Sequence, residues 1–385
     1  MRALGIDPGT RSFDLAVIED KSVVWEKSID TLRVAEDPGS LIKAIEAAGD
    51  VDIIAGPSGY GVPVTFNHEI IDPRRFALEV LLLTREEDLK IGVDRGEIGI
   101  RVYEAITKVV IELNKRALPV CYIPSCILLP TIPSYRKINK VDMGTADKMA
   151  IAALGIHDQS VRLGIDYDET QFILVELGFG YDAAIAVEGG VIVDGLGGTL
   201  VHTGFLTAGP IDGEAAVLGR EWIRSDVFHG GASDICGASS LDEALDGYEK
   251  GDEPYVLAIE SMLDGIEKAV RSLTSSVKKP REIILSGRYS RNPRFNVLVQ
   301  KRLQDIAPIR VIGMLPGARF SKEAAQGYGI VADGIAGGEF KGLIRHMQLL
   351  DARGTVLRWV FHPRLRDAKE RLISAYVRSV KNPRI

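Results

Sequence analysis

The hydrophobic and polar positions of this chain alternate in two stretches that predict β-meanders. Each stretch holds three short runs, either continuously apolar or alternating, separated by polar or glycine-rich turns. The runs span residues 3–6, 12–19 and 22–25 in the first stretch and residues 172–177, 182–187 and 191–194 in the second. Alternation of this kind between turn residues is typical of antiparallel strands. We therefore expect both halves of the chain to begin with three consecutive antiparallel strands.

Helical spacing and short apolar runs fill the rest of each half. Helices are predicted at residues 38–48, 97–113, 146–154, 255–277, 293–303 and 324–336. Buried strands are predicted at residues 51–55, 119–123, 282–285 and 308–312. We interpret the basic tail, residues 341–385, as a strand followed by a helix. Strands that alternate with helices in this way predict an α/β protein.

The two meanders also form an internal repeat. A shift of 169 positions places the first meander on the second without a gap, so that Asp7 falls on Glu176 and Gly9 on Gly178. In both copies an acidic residue ends the first strand and a glycine follows two positions later. Two unrelated meanders could match by chance. The alternative that we favour is a duplicated α/β domain in which each half opens with a phosphate-binding hairpin.

Composition limits the class of protein. The 385 residues exceed the ~250–300 at which one hydrophobic core stops growing, so two domains are expected. Apolar residues make up 46% and charged residues 26%, which excludes disorder as the main state. The 47 basic and 53 acidic residues give a net charge of −6, which argues against a nucleic-acid binder that relies on a general positive field; a local basic patch stays possible.

Cysteine usage and hydropathy bear on the compartment. Three cysteines without a CxxC pair favour neither a disulfide framework nor structural zinc. The first residues do not have the pattern of a signal peptide, and no apolar run approaches the ~20 residues that a membrane helix needs. We expect a cytoplasmic protein with no membrane partner.

The hairpin turns carry the residue types that bind phosphate. Glycines let the main chain approach closely, and consecutive N–H groups form an anion-binding concavity to which hydroxyl and guanidinium groups can add. The first loop contributes Gly9, Thr10, Arg11 and Ser12, and the second contributes Gly178, Phe179 and Gly180. Asp7 and Glu176, at the strand ends, are placed to hold a Mg²⁺ that bridges phosphates. Two facing hairpins would clamp a triphosphate; the alternative is that both acids are solvated carboxylates.

Two other phosphate-binding motifs are excluded. Gly178-Phe179-Gly180 resembles the start of GxGxxG, but the third glycine is missing and a strand follows instead of a helix. The chain also contains no GxxxxGK[ST].

Five motifs in order give the chain a resemblance to the superfamily of acetate and sugar kinases, Hsp70 and actin. Residues 6–10 resemble its first phosphate motif, residues 176–180 its second and residues 283–288 its adenosine motif, while residues 141–148 and 325–338 resemble its two connecting helices. Among its members the chain looks most like the butyrate kinases and an archaeal family of predicted butyrate kinases.

The resemblance implies two actin-like (ribonuclease H-like) domains, each a mixed five-stranded sheet flanked by helices, with a cleft between them. The first would comprise residues 1–150 and 325–385, and the second residues 151–324, which contain the second phosphate motif and the adenosine motif. ATP and Mg²⁺ are the implied cofactors, and a homodimer is possible.

The resemblance also implies roles for particular residues. Asp7, Glu176, Asp147 and Lys148 would be catalytic, with Asp7 and Glu176 also at the metal. Ser286, Gly287 and Arg288 would join the two phosphate loops in binding the nucleotide. Alternatively, Asp147 and Lys148 are ordinary polar residues in the first turn of a helix, and residues 286–288 form a plain strand-to-helix loop.

The chain departs from the butyrate kinases at two informative positions. That family carries asparagine where this chain has Asp7 and histidine where it has Glu176. Two carboxylates look more like the arrangement in sugar kinases, Hsp70 and actin. This departure is compatible with ATP as the phosphoryl donor, but it weakens the expectation that the substrate is a carboxylic acid. We therefore expect an ATP-dependent phosphotransferase for a small molecule, with a short-chain carboxylate as one candidate. The alternatives are a nucleotide-binding regulator or ATPase, and a scaffold protein whose loops no longer bind ATP.

Overall fold

Eleven strands form two separate sheets in a computed structural model, which describes all 385 residues apart from the side chain of Ile98. The first sheet contains β1 (Ala3–Pro8), β2 (Ser12–Glu19), β3 (Ser22–Asp30), β4 (Ile53–Ala55), β5 (Thr65–Phe66) and β6 (Val120–Tyr122). The second contains β7 (Gln171–Glu176), β8 (Ala183–Glu188), β9 (Val191–Gly197), β10 (Glu282–Ser286) and β11 (Ile309–Val311).

Both sheets are mixed and share one topology. Their strand orders are β3-β2-β1-β4-β6-β5 and β11-β10-β7-β8-β9. In each, three antiparallel strands are followed by parallel strands, which pair beside the first strand of the meander. The predicted meanders are thus confirmed. The first sheet has six strands and not the expected five, because β5 adds a two-residue pairing to β6 that is too short for periodicity to reveal.

The internal repeat is present in the strand register as well. The pairing of β2 with β3 shifts between Val17 and Ile18, and that of β8 with β9 shifts between Ala186 and Val187. These irregularities lie at equivalent positions when the chain is shifted by 169 residues. A bulge adds one residue to a strand at a defined place, so a shared bulge supports duplication over a chance match of two meanders.

Helices cover the faces of both sheets. They are α1 (Thr31–Glu36), α2 (Gly39–Ala47), α3 (Pro73–Arg75), α4 (Glu86–Asp94), α5 (Ile98–Lys115), α6 (Ala146–Leu163), α7 (Gly213–Gly219), α8 (Ala232–Cys236), α9 (Leu241–Lys250), α10 (Glu253–Leu273), α11 (Pro293–Leu303), α12 (Glu323–Ile335), α13 (Lys341–His346) and α14 (Arg366–Ser379). The apolar face that we predict for α5 begins at Ile98, whose side chain lies outside the described part of the structure. Among the described residues, no helix combines the length and apolarity needed to cross a bilayer.

The core has a central layer shared by the two sheets. Along β7, Phe172 and Leu174 point into this layer, whereas Ile173 and Val175 pack under the outer helices. The central layer contains α6 and α12, which pack on each other, and α12 also packs on β1 and β2. Gly5 of β1 has no room for a Cβ atom because the main chain of α12 lies directly against it. The division into residues 1–150 plus 325–385 and 151–324 stays a prediction.

The tail differs from the predicted strand and helix. Its regular elements are the helices α13 and α14, and residues 355–361, which are mostly apolar, pack on the core as irregular chain. Val356 and Val360 are buried there. This segment is thus buried without joining a sheet, and the predicted strand is wrong. A single bridge joins Val380 to Ile70.

Candidate active site

One cavity of about 620 Å³ lies between the two halves of the molecule. The two hairpin loops, the first turn of α6 and the start of α12 all contribute to its wall. It is lined by most of the predicted site residues: Asp7, Gly9, Thr10, Arg11, Ser12, Asp147, Lys148, Glu176, Gly178, Phe179, Gly180, Gly287 and Arg288. Ser286 is fully buried at the end of β10 and is not part of the described lining.

The two hairpin loops touch each other across the cavity. A Cβ atom on Gly180 would lie 2.6 Å from Thr10 Oγ1, so glycine is needed for this approach. The Arg11 guanidinium lies 3.9 Å from the centre of the Phe179 ring, a cation–π contact. The arrangement of two facing loops that the repeat predicts is therefore present.

Main-chain hydrogen bonds shape each loop. In the first, the Gly9 N–H donates to the Ser12 carbonyl at 3.0 Å. In the second, the Gly178 N–H donates to Asp182 Oδ1 at 2.6 Å, a side chain that our sequence analysis did not identify. Gly287 has φ +85°, a conformation that favours glycine, and its Cα lies so close to Leu177 that a Cβ atom would be 2.6 Å from the carbonyl oxygen. Residues 287–288 are thus packed onto the second loop.

The register of the first hairpin places two buried acids side by side. Asp7 on β1 pairs with Asp14 on β2, and both are almost fully buried. Like charges opposite each other on adjacent strands are unfavourable. Lys322, the residue before α12, compensates for them: its Nζ lies 2.7 Å from Asp14 Oδ2 and 3.6 Å from Asp7 Oδ2. Neither Asp14 nor Lys322 belongs to a motif that the sequence indicates.

Glu176, the acid of the second hairpin, is paired with Lys148. Lys148 Nζ lies 2.7 Å from Asp147 Oδ2 and 3.0 Å from Glu176 Oε2. Glu176 and Lys148 are buried. Burial means that Asp7 and Glu176 are not solvated carboxylates, whereas the roles of Asp147 and Lys148 stay a prediction.

Burial changes the protonation of these acids. It raises the pKa of Asp7 to about 7 and that of Glu176 to about 8, although the ammonium groups of Lys322 and Lys148 oppose the shifts. Burial likewise raises the pKa of Asp182 to about 7. For Asp147 burial acts in the same direction, but the ion pair with Lys148 outweighs it and lowers the pKa. At neutral pH Asp147 is therefore ionised, whereas Asp7, Glu176 and Asp182 exchange protons.

These residues fit a metal ion that arrives together with phosphates. Glu176 Oε2 is buried and, although it is within ion-pair distance of Lys148, it accepts no hydrogen bond from the described residues. No group of three or more metal-ligating side chains is found in the described part of the chain. One or two carboxylates completed by phosphate oxygens and water are the usual Mg²⁺ environment at nucleotide sites.

One part of the cavity wall is apolar and carries phenol groups. Leu82, Val102 and Ile106 line it, together with four aromatic residues: Tyr60, Tyr103, Tyr181 and Phe228. Arg224 lies against this wall; its guanidinium donates hydrogen bonds to the hydroxyls of Tyr60 and Tyr103.

Sequence reasoning missed this wall. The glycine-rich stretch of residues 195–219 does not contribute to the described lining. The contacts instead come from residues further along the chain, Arg224 and Phe228, which no motif indicates.

The fold is that of proteins with duplicated actin-like ATPase domains. A propionate kinase from Francisella tularensis matches with a TM-score of 0.57 and 14% identity over 85% of this chain and 98% of that one. An acetate kinase from Porphyromonas gingivalis matches with a TM-score of 0.54 and 13% identity over 85% and 97%, and one from Entamoeba histolytica with 0.52 and 13% over 79% and 87%.

The chain itself belongs to the family described as "Protein of unknown function (DUF1464)", which matches residues 5–362. A comparison with curated proteins finds no match.

Proposed function

We propose that this protein is an ATP-dependent phosphotransferase that acts on a small molecule. The observation that carries the proposal is the contact between two amide-bearing loops at the wall of one cavity. Beside each loop a buried acid lies within ion-pair distance of a lysine: Asp7 and Asp14 with Lys322, and Glu176 with Lys148. Phosphoryl transfer needs positioning and charge neutralisation more than covalent help from the protein. This constellation supplies both.

The nucleotide would lie between the loops. The amides of the first loop, with the hydroxyls of Thr10 and Ser12, and the amides of Gly178–Gly180 would hold the phosphate tail. Gly287 and Arg288 line the adjacent wall, where an adenosine can pack on main chain. The similarity to acetate and propionate kinases supports nucleotide binding at this place in the fold.

Mg²⁺ would be held by Asp7 and Glu176, and it would supply neutralisation of the phosphate charge. The raised pKa values of both acids mean that a cation has to displace protons in order to bind.

In the transfer step the acceptor oxygen forms a bond to the γ-phosphorus while the bond to the bridging oxygen breaks and ADP leaves. An alcohol acceptor must lose a proton, which the carboxylate of Glu176 or Asp7 can take when it is ionised. A carboxylate acceptor needs no base. Lys148 and Arg11 can neutralise charge on the transferred group.

The acceptor would occupy the apolar end of the cavity. The Tyr60 and Tyr103 hydroxyls accept hydrogen bonds from the half-buried Arg224, and a phenol that accepts a hydrogen bond can still donate its own proton to an anionic oxygen. The aliphatic lining suits a short carbon chain. A short-chain carboxylate is the acceptor that combines these features, and carboxylate kinases are among the structurally similar proteins.

A second candidate function is an ATPase or regulator whose output is opening and closing. Arg224 belongs to the second half of the chain and bonds to two tyrosines of the first half, so the cleft cannot open without breaking these contacts. A nucleotide that shifts the equilibrium between the open and closed cleft would act as a signal and not as a phosphoryl donor for a metabolite.

The test is the ADP released by the purified full-length protein with Mg²⁺ and ATP, with and without a panel of short carboxylic acids, alcohols and sugars. Acyl phosphates can be trapped with hydroxylamine, and other phosphorylated products can be detected by mass spectrometry. Acceptor-dependent ADP release with a matching product supports the phosphotransferase. Steady hydrolysis that no acceptor alters, or binding without turnover, supports the second candidate, and absence of ATP binding by calorimetry refutes both.

A further inference from the structure

Lys322 occupies a position in the cavity that none of the recognised motifs includes. It lies 315 residues after Asp7 in the chain, yet its ammonium group lies inside the first hairpin. It donates to Asp14 Oδ2 at 2.7 Å and to the Ser12 carbonyl at 3.2 Å. A Cβ atom on Gly9 would come within 2.5 Å of Nζ, so the glycine of the loop makes room for this lysine.

The contacts of Lys322 leave part of its binding capacity unused. An ammonium group has three N–H donors, and two of them are engaged with Asp14 and Ser12 among the described residues. Asp7 Oδ2, at 3.6 Å, is close enough for charge attraction but too far for a hydrogen bond. The side chain is 30% exposed and lines the cavity. Neutralising the two buried acids does not require the ammonium group to be exposed to the cavity.

Lys148 provides an internal comparison. It lies at the corresponding acid of the second hairpin, but its side chain is only 10% exposed and it has carboxylates at 2.7 and 3.0 Å. Both lysines lie at the start of a central helix, and the helices cross so closely that Gly327 has no room for a Cβ atom beside the Ala150 carbonyl. The two ammonium groups are thus held by one rigid pair of helices, and Lys322 is the more accessible.

Building on the proposed function, we propose that Lys322 binds the phosphate tail of the nucleotide directly, from its position beside the loop of the first hairpin. Its third donor would bind a phosphate oxygen, and its charge would offset the negative charge that the tail brings next to Asp7 and Asp14. A charge-assisted hydrogen bond to phosphate is among the stronger polar contacts. The contribution should therefore grow with the number of phosphates and vanish for the nucleoside.

The experiment compares the affinities of adenosine, ADP and a non-hydrolysable ATP analogue, measured by calorimetry in the presence and absence of Mg²⁺. Lys322→Met should weaken binding of the ATP analogue by about tenfold or more and leave adenosine binding unchanged. Lys322→Arg should restore most of the affinity because it keeps the charge. Lys341→Met, at an exposed lysine of α13 outside the described lining, is the matched control and should bind like the wild type.

The outcomes separate this inference from the proposed function. If the wild type binds ATP but Lys322→Met binds it equally well, Lys322 is not a phosphate ligand although the function stands. If the variant loses adenosine and ATP affinity by the same factor, the lysine only maintains the shape of the site, and the inference is again overturned. Thermal unfolding of each variant shows whether a loss reflects misfolding. A wild type that binds none of the three ligands overturns the nucleotide-binding function itself.

Discussion

Thr10 and Gly180 are 170 positions apart in the chain, yet their loops are in direct contact, with Thr10 Oγ1 at 2.6 Å from where a Cβ atom of Gly180 would lie. The contact joins the two halves at the point where each would hold phosphate. The internal repeat alone does not bring the two loops together. They meet because both sheets pack against the central helices α6 and α12.

The first prediction concerns this contact. Gly180→Ala should push the loops apart and destabilise the protein, and Thr10→Ala in the same chain should relieve part of the cost. Neighbouring residues of this kind typically show coupling of about 0.5–3 kcal/mol. The free energies of unfolding of the two single variants and the double variant, measured with denaturant, give the coupling; strictly additive values would show that the loops do not touch.

The second prediction concerns the paired acids. Asp7→Asn and Glu176→Gln should each lower Mg²⁺-dependent turnover by about a hundredfold or more, because each removes a metal ligand or base. Unfolding temperatures should change little, since the amides keep the shape and avoid burying a charge. Glu188→Gln, at an exposed residue at the other end of the second hairpin, is the control for the same substitution. Unchanged turnover in both acid variants contradicts their assignment.

The third prediction is a pH dependence of metal binding. The raised pKa values, about 7 for Asp7 and about 8 for Glu176, mean that both acids carry a proton in mildly acidic solution. Binding of Mg²⁺ with a nucleotide should then release protons, and the affinity should fall about tenfold per pH unit for each proton displaced as the pH drops below these values. Calorimetry in buffers of different ionisation enthalpy measures the protons. Binding with no proton release would place the metal elsewhere.

The same shifts give the sign of the effect on stability. An acid whose pKa is raised by folding favours the folded state while it is protonated, and that contribution is lost as the pH rises through its folded pKa. The nucleotide-free protein should therefore lose stability between about pH 4 and pH 8, and Mg²⁺ with ATP should restore it at the upper end. A thermal unfolding series across this range, with and without Mg²⁺ and ATP, checks both statements.

The fourth prediction concerns Lys148. Lys148→Met leaves the buried carboxylate of Glu176 and the half-buried one of Asp147 without their partner, and removing one member of a buried ion pair typically costs about 3–5 kcal/mol. The loss should be smaller near pH 6, where Glu176 is protonated, than near pH 9, and adding Glu176→Gln should recover part of it. A destabilisation that does not vary with pH or with Glu176 would contradict the pairing.

The fifth prediction concerns the acceptor end of the cavity. Tyr103→Phe removes a hydroxyl that bonds to Arg224 but leaves the ring packing intact. The KM for the acceptor should rise severalfold, while the affinity for ATP should not change, because in the proposed arrangement this phenol contacts the acceptor and not the nucleotide. Tyr135→Phe, at an exposed tyrosine, is the control. An equal loss of ATP affinity would show that this wall belongs to the nucleotide.

The parts of the site that local motifs describe were predictable. The turn residues of both hairpins, the acids that precede them and Lys148 could be identified because each motif is contiguous in the chain. Asp14 was not, since in the sequence it is one polar position in an alternating strand, and only the register places it opposite Asp7. Lys322 and Arg224 were not, because their partners are on other elements.

The limits of the pattern are clearest in the tail. Residues 355–361 are mostly apolar, and they pack on the core without joining either sheet. Apolar residues indicate that a segment is buried, whereas a strand also needs a neighbour for its main-chain hydrogen bonds.

By itself the chain's order of residues determined the strands, the main helices and the duplication, because periodicity and turn chemistry act over a few neighbouring positions. Only the tertiary structure decided which charges meet in the cavity, since burial and the packing of distant helices determine whether an acid faces water, another acid or a lysine. For this reason the two loops were foreseeable, and the lysine that enters the first of them was not.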